Sequence, residues 1–195
     1  MRVVRAPLLA LLWLAANVLG FTLAGAFARF PGSFPVGSGV NSSFDAAAAL
    51  FGLVVGGVSG AVVGVLQWLV LRRWMGAGRG WIAATALAIA VTHMLGDGLP
   101  ASFDYESIAV DGGVLFYVAQ TIALRGRSGG QALALAGAVG YAVGILAGVD
   151  RATSSEVYWG EEHLVAGIVC GIAFGAVSVV TLLLSRWSVA AVQRR

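Results

Sequence analysis

The chain has no lysine, a single cysteine, two histidines and only nine acids in 195 residues. Each shortage excludes something. Charged residues make up 11% of the chain, against roughly 25% in a soluble domain, too few to coat a water-facing surface of this size. All the positive charge is on arginine, and no basic run is long enough to track a phosphate backbone, so nucleic acid is not an expected partner. Cys170 stands alone inside an apolar run, so no intrachain disulfide can form. Catalytic signatures are also missing: there is no Walker loop, no G-x-S-x-G and no paired Cys and His. "GAGRG" at 76–80 reads as a short turn rather than a phosphate loop, because no strand precedes it and no Lys-Ser pair follows.

What the chain does have is apolar length and glycine. Hydrophobic residues reach 59%, mean hydropathy is +0.90, and there are 28 glycines. The bilayer is the solvent for such a composition, and glycine allows membrane helices to approach closely. Six apolar segments stand out, at 6–27, 46–71, 80–99, 107–124, 131–149 and 163–185. Each is about the 17–25 residues needed to cross a hydrocarbon core of about 30 Å. The fourth is the weakest, with an uninterrupted apolar part only from Val114 to Leu124. Apolar runs without period-two alternation predict helices rather than barrel strands. The expected fold is all-α: one polytopic transmembrane domain over 1–195 with six transmembrane helices. "MRVVR", an apolar run and "AFA" at 26–28 imitate a secretory signal, but the run is long for such a signal and reads as the first span.

Arginine placement predicts the orientation. With the N-terminus cytoplasmic, only Arg29 and Arg151 fall outside, while all nine acids lie toward the outer side. Arginine in short loops sets topology, so both termini are expected in the cytoplasm of a plasma-membrane protein, with acidic loops outside. The outer connections, about 28–45, 100–106 and 150–162, are the longest and pair acids with aromatics, as in Tyr158 and Trp159. The inner connections are short and basic and leave no room for a cytoplasmic domain.

The segments repeat. Gly60, Gln67, Leu71 and Arg72 are matched 53 positions later by Gly113, Gln120, Leu124 and Arg125. Gly52, Gly56, Gly60 and Ala61 are matched 115 positions later by Gly167, Gly171, Gly175 and Ala176. Spans two, four and six therefore read as copies of one helix, and the chain as three tandem helical hairpins in one orientation. Gly52, Gly56, Gly60 and Gly64 recur every fourth residue and predict a glycine zipper along one helix face. Gln67 and Trp68 precede Arg72 near the inner boundary. There Trp68, Trp74 and Trp81 serve as interface anchors and Gln67 as a hydrogen bond between helices.

"GAVVGVLQWLVLRR" followed by "GWIAATALA" resembles small multi-spanning bacterial membrane proteins with a G-x-x-x-G-x-x-Q-W-L-V-L-R signature. The resemblance covers about a quarter of the chain. It implies membrane residence and repeats, and transfers no activity. Three two-helix units also match mitochondrial carriers in number, but the P-x-[DE]-x-x-[KR] signature of that family is absent here.

Ionisable residues at membrane depth are the candidates for function. His93 lies fourteen residues beyond Arg79 and Asp111 fourteen before Arg125, which puts both about 21 Å from the inner boundary. Asp97 follows His93 at i+4 on the same face, and Asn17 and Tyr141 count to similar levels. These five predict a polar layer in the outer half of the bundle. The plainer reading is that Asp111 opens a short fourth helix and that His93 is a packing element. Metal or haem is a weaker candidate: His93, His163 and Glu162 are suitable ligand types without a recognised spacing. No cofactor is expected. The leading functional expectation is a non-enzymatic integral membrane protein that packs with a membrane partner or with itself. The alternative is a small transporter or channel with His93, Asp97 and Asp111 lining an outward-facing path.

Overall fold

A computed structural model describes residues 5–27, 44–74, 76–99, 105–126, 129–153 and 161–192. Their regular structure is helical throughout: α1 (Arg5–Phe27), α2 (Ala46–Trp74), α3 (Gly80–Gly98), α4 (Tyr105–Ala123), α5 (Gly130–Thr153) and α6 (Glu161–Val192). Local chemistry sets several ends. Asp45 caps α2, its Oδ1 accepting from the amides of Ala47 and Ala48 at 2.9 and 3.0 Å. The Asp45 amide donates to the Gly98 carbonyl at 2.9 Å, tying the start of α2 to the end of α3. Pro7 falls in the first turn of α1, where a helix has no need of its N–H. Positive φ at Gly76 (64°) and at Gly126 and Gly129 (77° each) makes the α2–α3 and α4–α5 turns, a conformation that suits glycine alone.

Five of the helices carry segments long and apolar enough to cross a membrane; the apolar part of α4, Ser107–Ala123, is shorter. Each helix packs on its neighbours in the chain, and α6 packs on α1, so the six close into a ring. Among the described residues no other pair of helices makes backbone contact. Adjacent helices run antiparallel. Gly60 lies against Thr85 and Ala86 while Gly52 lies against His93, and Gly167 lies against Phe21 while Gly175 lies against Leu14.

The interior is filled by side chains that bridge non-neighbouring helices. Phe21 of α1 meets Tyr141 of α5 at 6.4 Å between ring centroids, and Phe116 of α4 meets Phe174 of α6 at 5.8 Å. Phe116 stacks on Tyr141 at 4.5 Å, and Trp13 of α1 meets Trp81 of α3 edge-on at 6.4 Å. Beside this apolar core several polar side chains are buried, and the exposed face is apolar. The buried set includes Asn17, Gln67, Thr85, Thr92, His93, Gln120 and Ser178, while leucine and valine dominate the exposed set. That pattern is stable in lipid and unfavourable in water. Several buried hydroxyls bond their own helix, as Thr92 does to the Ala88 carbonyl at 2.9 Å and Ser59 to that of Val55 at 2.8 Å.

Candidate functional site

The most developed polar constellation lies near the ends of α2 and α3 that carry Arg72, Arg73 and Arg79. Gln67, fully buried on α2, has both ends of its amide engaged. Its Nε2 donates to Asn17 Oδ1 of α1 at 2.7 Å, and its Oε1 accepts from Trp81 Nε1 of α3 at 3.1 Å. Asn17 Nδ2 donates to the Trp13 carbonyl at 2.8 Å, and Trp13 Nε1 donates to Ser178 Oγ of α6 at 2.8 Å. The Ser178 hydroxyl donates in turn to the Phe174 carbonyl. Four helices are thus joined through a network of neutral donors and acceptors that contains no ionisable group. Trp68 sits outside it, half-buried, with Nε1 on the Ala77 carbonyl at 3.0 Å and the Arg72 guanidinium 4.7 Å from its ring centroid. The first contact pins the α2–α3 turn, and the second is an i, i+4 contact within α2.

The residues expected to form one outer polar layer are divided by the structure. Asn17 belongs with Gln67, five positions from Arg72, and not with His93. Counting along the chain misplaces it because depth was carried from one helix to another without knowing how far each slides. His93 is buried, and its Cβ lies where a side chain on Gly56 would go. Asp97, one turn on, places Oδ2 over Gly52, so His93 and Asp97 share the α2-facing side of α3. Tyr141 is buried among Phe21, Phe116 and Thr92. Asp111 is exposed, on the outer face of α4, rather than turned into the bundle with His93. Its neighbour Gly112 faces inward instead, beneath Thr92 and Tyr141.

Other buried polar atoms lack a well-formed hydrogen bond: Thr85 Oγ1 and His93 Nδ1 on α3, both amide atoms of Gln120 and Thr121 Oγ1 on α4, and Tyr141 Oη on α5. Gln120 Oε1 lies directly against Gly137 of α5. Arg125 is exposed just beyond α4. Among the described residues no three His, Cys, Asp or Glu side chains gather as metal ligands. The side chains of Glu162 and His163 lie outside the described residues. The sequence reading missed Trp13 and Ser178 as members of the network. The available signal was the pairing of Trp13 and Asn17 at i, i+4 on a helix rich in leucine and alanine.

No family model, no curated protein and no solved structure matches this chain.

Proposed function

We propose that this chain is a non-enzymatic integral membrane protein that holds a partner within the bilayer and does not pass solute through its ring. The observation that carries this reading is the filled interior. Aromatic pairs reach across the ring between helices that are not neighbours in it, and the Gln67 network is neutral and hydrogen-bonded. The residues of the Gly60–Arg72 signature serve packing as well. Gly60 and Gly64 lie against α3, Gln67 joins three helices, and Trp68 ties the turn while Arg72 covers its ring.

Within this reading the six helices all cross the bilayer as three tandem hairpins, with both termini cytoplasmic. The contact register of the glycines supports the repeat. Gly60 meets the Thr85 carbonyl and Ile89 Cβ, and 53 positions on Gly113 meets the Ala138 carbonyl and Ala142 Cβ. Gly56 meets the Ile89 carbonyl and Ala90 Cα, and 115 positions on Gly171 meets the Asn17 carbonyl and Val18 Cα. Three interfaces, α2 on α3, α4 on α5 and α6 on α1, thereby share one pattern. The remaining contacts are less regular: Gly20 meets Val63, a turn away from what the Thr92–Gly112 contact implies for that hairpin.

The alternative, a small transporter or channel, has the unpartnered polar atoms on α3, α4 and α5 in its favour. Liposomes containing the purified chain and loaded with a pH dye, then given a proton gradient or an osmotic step, separate the two. The partner-holding reading expects decay no faster than in protein-free vesicles. Rapid decay that Gln120→Leu or Tyr141→Phe slows would overturn it.

A further inference from the structure

We propose that the outer face of α4 docks a transmembrane helix of another protein, one that carries a lysine or arginine inside the hydrocarbon core. The proposal rests on the partner-holding reading above and names the surface and the partner chemistry.

Between their end turns, the described parts of α1, α2, α3, α5 and α6 turn only apolar side chains outward. Helix α4 departs from this, exposing Asp111 and Tyr117 beside Val114, Val118 and Ile122. The level of Asp111 follows from its neighbour. A Cβ on Gly112 would stand 2.9 Å from the Thr92 hydroxyl, and Thr92 lies six residues from the end of α3 and twelve from its start. That is about 9 Å and about 18 Å from the two ends, inside a core of about 30 Å. The 53-residue repeat gives the same level. Asp111 stands where α2 has Val58, which is 61% exposed. An outward valine on one helix is a carboxylate on the other, where lipid is a costly neighbour for a charge.

Charge complementarity selects the occupant. The arginines of this chain lie at or beyond the ends of its apolar spans, and His93 is buried. Among the described residues a second copy therefore has no exposed cation at this depth, and two α4 helices face to face would oppose two carboxylates. A foreign helix with one basic residue neutralises Asp111. Val114, Val118 and Ile122 supply a β-branched ridge with little rotamer entropy to lose, and the Tyr117 hydroxyl lies six residues further along the same helix.

The test uses the full chain in liposomes with a synthetic leucine–alanine transmembrane peptide. The peptide carries one lysine a third of the way from the end that meets Asp111, and fluorescence energy transfer reports association. The lysine peptide is expected to associate about tenfold more tightly than its all-leucine control. Asp111→Val, which copies the α2 residue, removes the preference while leaving thermal unfolding unchanged. Asp111→Lys with an aspartate peptide restores it. Equal binding of both peptides, or a lysine preference that survives Asp111→Val, overturns the proposal. So does energy transfer between two labelled copies of the chain that Asp111→Val abolishes, which makes the occupant a second copy. Tight liposomes with no lysine preference sink this inference alone; leaky liposomes sink the partner-holding reading itself.

Discussion

At the scale of single residues, Gln67 and Gln120 present the same side chain to two different surroundings. Gln67 has both amide atoms engaged by Asn17 and Trp81, and Gln120 is equally buried with neither atom engaged. The 53-residue shift explains the difference: it sets Ala134 where the first motif has Trp81, so the indole donor is missing. Leaving a buried donor or acceptor unmet costs about 1–3 kcal/mol, while interhelical hydrogen bonds in membranes average about 0.6 kcal/mol. Gln67→Leu orphans Asn17 Oδ1 and Trp81 Nε1 together, so it should destabilise the chain by about 1–3 kcal/mol. Gln120→Leu removes an amide that lacks partners and should be neutral or stabilising. Reversible unfolding in mixed micelles measures both, and equal losses would contradict the assignment of partners. Gln67 was legible in the sequence as a polar residue in an apolar helix. Its partners Asn17 and Trp81 were not, because they lie on two other helices, and the Trp13–Ser178 bond that extends the network spans 165 positions that only ring closure brings together.

At the scale of the element, the spacing of glycines on α2 was readable and the direction of Asp111 on α4 was misread. Four glycines at intervals of four lie on one face by helical geometry, and all four lie against α3. Gly57 is off that line, and a Cβ there would meet Ala90 Cβ at an ordinary 3.8 Å, whereas one on Gly60 would stand 2.7 Å from Ala86 Cα. Replacing glycine by alanine inside a helix gains about 1 kcal/mol of propensity, and overpacking against backbone costs about 1–3 kcal/mol. Gly57→Ala should therefore be neutral or stabilising, and Gly60→Ala destabilising, with Gly60→Leu worse. Thermal aggregation in detergent ranks the three variants, and a Gly60→Ala protein as stable as the parent would mean that α2 and α3 do not approach this closely. The same geometry held the answer for Asp111. Nine residues separate it from Gln120, two and a half turns at 3.6 residues per turn, so a buried Gln120 turns Asp111 outward. Matching depth from the arginines fixed its height and left its direction around the helix open.

At the scale of the whole molecule, the closing contact between α6 and α1 constrains topology more firmly than hydropathy does. The apolar part of α4, Ser107–Ala123, is shorter than the span of any other helix, and a count based on such lengths alone stops at five. Yet α4 runs the length of the ring. Gly113 meets Ala138 and Ala142, Gln120 meets Gly137, and Leu124 meets Gly130, so α4 lies antiparallel along α5. Five crossings would leave α6 parallel to α1, but Trp13 bonds Ser178 while Phe21 meets Gly167, which makes the pair antiparallel. An antiparallel ring closes only with an even number of helices, and its two termini then share one side. On the proposed reading, the arginines at the α2–α3 and α4–α5 turns put that side in the cytoplasm. Single cysteines at positions 40, 104 and 155, introduced with Cys170→Ala, should react with an impermeant maleimide in intact cells, and one at position 77 should react only after lysis. Labelling at 40 and 155 with protection at 104 would mean that α4 enters the membrane without crossing it. Labelling at 77 with protection at the other three would reverse the orientation and leave the ring intact, since closure fixes parity and the arginines fix only the sign.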